Sequence, residues 1–354
     1  MILYLHIGTG KTGTTSIQTF LELNREALRK RGVVVPVSPG RRNHLRLTPY
    51  ALNDGVIDNT RRARGLLRPD QVAHFRERFA QRFREEAATW TDGHTVIMSS
   101  EQMTRLSQPE EIARLRALLS FATKTFIVVY FRRQDEYFVS EYSQLIKGGR
   151  GIALDGALKH IKKQVYNYHA FLQNWADAFG KENIIVRPFE RSQMVGGDAV
   201  QDFASVVGLD GLSEYVLPPR RNLSLDVHTV EYLRRLNPHI PRFVNDAPNP
   251  LRAGLIELLE EISDGQKLSL SQATAELFLQ QFKESNAQVA REYLNRDDGV
   301  LFREGPASGE GEAPSLSKNE IFSITARIWA HLRNTPQLRD DASPDSALHE
   351  RPVE

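Results

Sequence analysis

Ile2-Leu3-Tyr4-Leu5-His6-Ile7-Gly8-Thr9-Gly10-Lys11-Thr12-Gly13-Thr14-Thr15 decides the fold. Ile2 to Ile7 is a short apolar run, Gly8 to Gly13 a tight glycine-rich turn, and from Thr14 to Arg31 the residues Ile17, Phe20, Leu21 and Leu28 recur at helical spacing. The order is strand, loop, helix. Met1 to Ile7 has no basic segment before it and no small-residue cleavage site after it, so a first strand is expected rather than a secretory leader.

The same alternation continues outward. Val33 to Val35 reads as a second strand, and Ser38 to Arg68 as an irregular stretch holding Asn43, His44 and many arginines. A helix is expected over Pro69 to Trp90, with Val72, Phe75, Phe79 and Phe83 on one face as core. Thr95 to Met98 is a strand that runs into Ser99, Ser100 and Glu101; a helix at Glu110 to Leu119 leads to the β-rich run Thr125 to Phe131, and a helix follows over Asp135 to Lys147. Asn167 to Phe179 is a further helix and Asn183 to Val186 a further strand. Strands alternating with helices imply an α/β protein, here a P-loop-like three-layer fold with a mainly parallel sheet and a helical C-terminal part. The expected organisation is one domain over 1–302, a linker at 303–315 rich in Gly, Glu, Ser and Pro, a C-terminal helix at 316–334, and a polar, disordered tail at 335–354.

Composition narrows the function. The 354 residues carry 46 Lys and Arg against 44 Asp and Glu, a formal charge of +2, so no chain-wide basic field points to nucleic acid and any polyanion site must be local. Cysteine is absent, which removes disulfides, thiol nucleophiles and cysteine zinc sites. No stretch approaches the ~20 apolar residues of a membrane helix, and a soluble cytoplasmic protein is expected. The histidines lack metal spacing, His160 and His169 standing apart among unrelated residues, so no metal is expected.

At the end of the first strand the free backbone N–H groups of the loop and the helix N-terminus face one point, which favours an anion. Glycines let the backbone wrap a phosphate, Thr14 and Thr15 add hydroxyls, and Lys11 supplies charge. Three readings compete. Gly8-x-Gly10-x-x-Gly13 matches a dinucleotide fingerprint, which wants an acidic residue where Val35-Pro36-Val37 stand. The loop nearly matches a nucleoside-triphosphate P-loop, with Thr14 where its lysine belongs. Taken as it stands, Lys11-Thr12-Gly13-Thr14-Thr15 resembles the 5′-phosphosulfate loop of the sulfotransferase family, whose lysine sits inside the loop.

The run Phe126 to Phe131 ends in Arg132-Arg133, with Ser140 eight positions beyond Arg132. A strand-end guanidinium and a helix-borne hydroxyl suit one phosphate. In sulfotransferases such a pair binds the 3′-phosphate of the donor, and Arg132 and Ser140 match that spacing. The resemblance covers Met1 to about Leu225 and includes Val186-Arg187-Pro188-Phe189-Glu190-Arg191 and Arg220-Arg221-Asn222-Leu223-Ser224, segments similar to bacterial carbohydrate-type members. The late Arg-Lys-Gly loop of cytosolic members is not recognisable, and Arg220 and Arg221 are the candidates to replace it. The resemblance implies 3′-phosphoadenosine 5′-phosphosulfate as co-substrate, no metal, a glycan or small glycoside bearing the acceptor hydroxyl, and Gly10, Lys11, Thr12, Gly13, Thr14, Thr15, Arg132 and Ser140 as its binding residues. It also implies a glutamate or a histidine as base. Glu101, after a strand end, is the first choice, and His44, on a long loop able to close over the acceptor, the second. Arg61, Arg62, Arg64 and Arg68 read as a solvated face that can also guide an anionic glycan. The competing functions are a P-loop nucleotide kinase-like enzyme and a non-catalytic anion- or glycan-binding relative.

Overall fold

The computed structural model describes residues 1–90, 94–219, 224–245, 247–306 and 315–334. Five parallel strands form the main sheet: β1 (Ile2–Gly8), β2 (Val33–Val34), β3 (Thr95–Ser99), β4 (Lys124–Phe131) and β5 (Ile184–Pro188), in the spatial order β2-β3-β1-β4-β5. Because both faces are covered, β1 and β4 are apolar almost throughout rather than alternating. Leu3, Leu5 and Ile7 of β1 enter one core, with α3 (Leu47–Ala51), α5 (Pro69–Ala87), α6 (Pro109–Leu118), α9 (Tyr168–Phe179) and α14 (Lys283–Leu294). On the other face, Ile97 of β3 and Val128 and Tyr130 of β4 meet α1 (Thr14–Leu23), α2 (Arg25–Lys30) and α10 (Ala199–Val206). This is the three-layer α/β arrangement expected from the alternating pattern. The short α4 (Asn59–Arg62) lies in the segment between α3 and α5.

The described chain divides into two compact units. The first takes Met1–Gln134, Lys162–Arg220 and Phe278–Gly305 and contains the sheet; the second takes Asp135–Ile161, Arg221–Leu277 and Pro306–Glu354. In the second lie nearly all of α7 (Gln134–Lys147), α8 (Leu154–Lys159), α11 (Val227–Leu236), a two-stranded hairpin of β6 (Phe243–Val244) and β7 (Ala247–Pro248), α12 (Leu255–Glu261), most of α13 (Gln272–Gln280) and α15 (Lys318–Asn334). Ile324 of α15 is buried, so that helix has a core face. Positions 307–314 of the expected linker and the tail 335–354 lie outside the described residues. Among the described residues no helix is long and apolar enough to cross a membrane.

Two differences from the sequence reading have local causes. The expected helix Thr14 to Arg31 is two helices, because Asn24 leaves helical geometry (φ −105°, ψ 12°) and its amide bonds to Phe20 O (2.8 Å), Val216 O (2.8 Å) and Val216 N–H (2.8 Å). The stretch expected to be irregular contains α3 and α4, organised around Arg61. That guanidinium, fully buried, donates to the carbonyls of Pro49, Leu52, Asn53, Asp54 and Val56. Arg61 therefore has no place on a solvated, glycan-guiding face, and Arg68 is paired with Asp70. A charge-assisted hub of this kind substitutes for the backbone ladder that the segment lacks.

Candidate functional site

All five strands run the same way, so the carboxyl ends of β1, β3 and β4 share one edge of the first unit. The loop after β1 is pinned there. Thr9 donates its N–H (2.8 Å) and hydroxyl (3.1 Å) to Tyr130 O near the end of β4, and the Thr12 hydroxyl closes the turn on Thr9 O (2.6 Å). Thr12 is fully buried, so its hydroxyl shapes the loop from inside; Thr14 is buried as well and Thr15 exposed. Lys11 takes the left-handed conformation (φ 66°), and so does Gly13 (φ 74°), where a Cβ would stand 2.5 Å from Cβ of Ala199. Gly13 is required by both conformation and space.

Helix α1 starts from this loop without a side-chain cap and with no acidic residue in its first turn. Helices α9, α10 and α11 differ: Asn167, Asp198 and Asp226 each accept from a first-turn N–H. A capping side chain contributes ~1 kcal/mol. Helix α1 forgoes it, as α2, α8, α12 and α14 do, and its first N–H groups have no capping side chain.

Glu101 lies directly beside the loop. A Cβ built on Gly8 (φ 101°) would be 3.0 Å from both Cα and Cβ of Glu101, so glycine at position 8 is what permits the approach. The carboxylate is half-buried and held by two amides: Gln18 Nε2 donates to Oε2 (2.8 Å), and Asn43 Nδ2 reaches Oε1 (3.2 Å) and Oε2 (3.1 Å). Gln18 and Asn43 carried no role in the sequence reading. Their only signal was position, Gln18 one turn into the helix after the loop and Asn43 beside His44. Both amides donate to the carboxylate, so the pair fixes its orientation beside the loop.

His44 is not on a mobile loop. It is fully buried, its N–H donates to Ser99 O (3.0 Å), its Nδ1 accepts from Ser99 N–H (2.8 Å), and Nε2 faces Pro36 O (3.0 Å). Because Nδ1 accepts, Nε2 carries the proton and the ring is the neutral tautomer. Strand β2 pairs with β3 at Val33↔Thr95 and Val34↔Val96 and no further. Beyond that point His44 stands in for a strand residue and satisfies the last peptide of β3, two residues before Glu101. Its geometry is that of a support for the strand end, with both ring nitrogens engaged. His6, on β1, is also fully buried and bonds Ser99 Oγ through Nδ1 (2.8 Å).

Burial pushes His6 from 6.5 down to about 3, and His44 to about 4 against the raising effect of its backbone hydrogen bonds. Both folded values lie below the unfolded one, so below pH ~6.5 the unfolded chain binds the extra protons. The stability gained by keeping each ring neutral is complete above pH ~6.5 and is lost as pH falls towards the folded values. At pH 5 the loss is ~2 kcal/mol per histidine. Urea unfolding at pH 7.5 and pH 5.0 checks this, and equal stability at the two pH values would contradict it.

The other sequence-derived residues distribute as follows. Arg132 follows β4 on the same edge, is half-buried, and accepts from Tyr168 through its carbonyl (2.6 Å). Ser140, on α7, belongs to the second unit. Arg220 and Arg221 lie outside the described residues. Arg133 is 5% exposed and donates to the carbonyls of Glu304 (2.8 Å) and Gly305 (2.5 Å). Arg187 is ion-paired with Asp202, which also accepts from Tyr130 Oη (2.8 Å), while the Phe189 ring lies 3.5 Å from where a Cβ on Gly13 would stand. Among the described residues no three His, Cys, Asp or Glu side chains are grouped to hold a metal ion.

No family model matches the chain. It is 28% identical over 209 residues to an uncharacterized protein of Archaeoglobus fulgidus, a match covering 59% of this chain and 56% of that protein. The chain thus spans little more than half the length of this curated relative. Among solved structures, a sulfotransferase from Alicyclobacillus acidocaldarius aligns with a TM-score of 0.35 and 17% identity, over 72% of this chain and 95% of that one. A TM-score of that size leaves the α/β assignment resting on the sheet order and register given above.

Proposed function

We propose that the chain is a sulfotransferase that moves a sulfuryl group from 3′-phosphoadenosine 5′-phosphosulfate to a hydroxyl of a carbohydrate-like acceptor. The observation that carries this reading is the contact between Gly8 and Glu101: an uncapped, lysine-bearing anion loop with a carboxylate fixed against its first residue. Sulfuryl transfer is mostly positioning and charge stabilisation, with attacking and leaving oxygens in line. In this reading Glu101 accepts the proton of the acceptor hydroxyl as its oxygen bonds to sulfur. The bond from sulfur to the 5′-phosphate oxygen breaks, and Lys11 with the N–H groups of Gly13 to Thr15 takes up the charge of the departing phosphate. Thr12 holds the loop closed and Gly10 leaves room for the ligand. The sequence resemblance supports Arg132 and Ser140 as the 3′-phosphate residues, with Arg220 and Arg221, outside the described residues, as further candidates. A cytoplasmic enzyme acting on a polysaccharide precursor, a lipid-linked sugar or a small glycoside fits this chemistry.

Calorimetric titration with 3′-phosphoadenosine 5′-phosphate tests the reading. Binding without added metal is expected, about tenfold or more tighter than adenosine 5′-phosphate, because a second phosphate gains charge-assisted bonds of ~1.5–3 kcal/mol. Equal affinities would remove Arg132 and Ser140 from the site. Magnesium-dependent binding of ATP, with no preference for the 3′-phosphorylated nucleotide, would replace this reading with the kinase-like one.

A further inference from the structure

The second unit holds a cavity of about 570 Å³ between the C-terminal end of α7 and the turn after the β6–β7 hairpin. Lys147, Arg242 and Arg252 line it, and among the described residues no aspartate or glutamate does. Lys147 is neutralised by Glu260, 2.5 Å away. Arg252 is fixed in a different way. Its Nη1 donates to Asn237 Oδ1 (2.8 Å) and Ile240 O (2.8 Å), and its Nη2 to Lys147 O (3.1 Å). These partners are neutral, so they hold the guanidinium in place without cancelling its charge. Burial, and after it the like charge of Arg242, work against the charged form of Arg252.

The walls are anchored independently of any ligand. Asn237, 2% exposed, donates to Ile146 O (2.9 Å) and Arg150 O (2.7 Å), tying α11 to the end of α7. Asn249, 8% exposed, donates to Pro241 O (2.8 Å) and accepts from Leu251 N–H (3.0 Å), which sets the turn that carries Arg252. The Arg242 guanidinium lies over the Phe243 ring, 5.3 Å from its centre, and a Cβ on Gly148 would stand 3.7 Å from Arg242 Nη1. The end of α7 would ordinarily repel an anion. Here two of its last carbonyls, those of Lys147 and Ile146, accept from Arg252 and Asn237.

Two guanidinium groups on the walls of one preformed cavity, one of them held by neutral partners, suit the oxygens of an anion. We propose that this cavity binds a small ligand bearing phosphate, sulfate or carboxylate oxygens, held by Arg242 and Arg252. The inference uses only the second unit and does not depend on the sulfuryl-transfer reading. The same oxyanion chemistry has two sources: a free polyanion, or an acidic group carried on a sugar.

The test is calorimetric titration of the full chain with sodium pyrophosphate and, separately, with methyl glucuronide. Lys11→Ala serves as background, so that the loop after β1 contributes little. At least one probe should bind, and adding Arg242→Glu should weaken that binding about tenfold or more. Arg242 is exposed, so the thermal midpoint of the variant should match its parent, and Arg242→Gln repeats the measurement without charge reversal. Tighter pyrophosphate binding identifies a free polyanion as the occupant, and tighter glucuronide binding an acidic sugar. If neither probe binds at millimolar concentration, or if both bind Arg242→Glu as they bind its parent, the site does not exist.

Discussion

Glu101→Gln should lower turnover by ~10²–10⁴-fold, the range for a lost general base, while affinity for 3′-phosphoadenosine 5′-phosphate stays within about twofold of the parent. The substitution keeps the shape of the side chain and its place against Gly8, so the loop should not move. With the new side-chain oxygen in the place of Oε2, Gln18 and Asn43 can both still donate to it, so that part of the network survives without its charge. Proton abstraction is all that is lost. Asn43→Ala provides the contrast: the base remains but loses one orienting amide, and a smaller loss of turnover is expected. His44→Gln should lower the thermal midpoint, because it disturbs the peptide of Ser99 that His44 satisfies. Full activity in Glu101→Gln, with His44→Gln folded yet inactive, would return the base to the histidine.

The fold was legible where burial is local in sequence. Strand β1, its glycine loop and helix α1 follow from an apolar run, three glycines and a helical period within 23 residues. Strand β4 announces itself through Phe126 to Phe131 alone. The closeness of Glu101 to the loop after β1 was legible on the same terms. Lys11 and Glu101 each follow a strand, and parallel strands bring their carboxyl ends together. What stayed hidden depends on distant backbone. Arg61 looks like any surface arginine until the carbonyls of Pro49 to Val56 wrap it, and no periodicity records that wrapping. His44 reads as a residue of a long closing loop because its partners, Ser99 and Pro36, contribute main-chain atoms that carry no sequence signal. Asn24 breaks its helix for Val216, 192 positions away. Each of these polar side chains replaces a missing regular hydrogen bond, and patterns of apolar residues do not register such replacements.

Lys11→Ala should reduce turnover by ~10²–10³-fold and weaken 3′-phosphoadenosine 5′-phosphate by much less. In this chemistry the leaving phosphate gains charge as the sulfur–oxygen bond breaks, so a cation beside it is worth most in the transition state. The backbone makes the experiment clean. Lys11 already sits at φ 66°, where any residue with a Cβ is strained by ~1 kcal/mol, and alanine inherits the same strain. The change therefore removes the ammonium without altering the conformational cost of the loop. Lys11→Gly relieves that strain and removes the same charge, so it separates the two effects. If glycine and alanine lose equal activity, the charge is responsible; if glycine is nearly as active as lysine, the side chain at position 11 serves the loop's shape and another cation faces the leaving group. Lys11→Arg keeps the charge on a bulkier, planar head and should recover part of the activity. Were Lys11→Ala to lose donor affinity alone, with turnover at saturating donor unchanged, the lysine would bind ground and transition states alike, and another cation or the N–H groups at the start of α1 would carry the stabilisation.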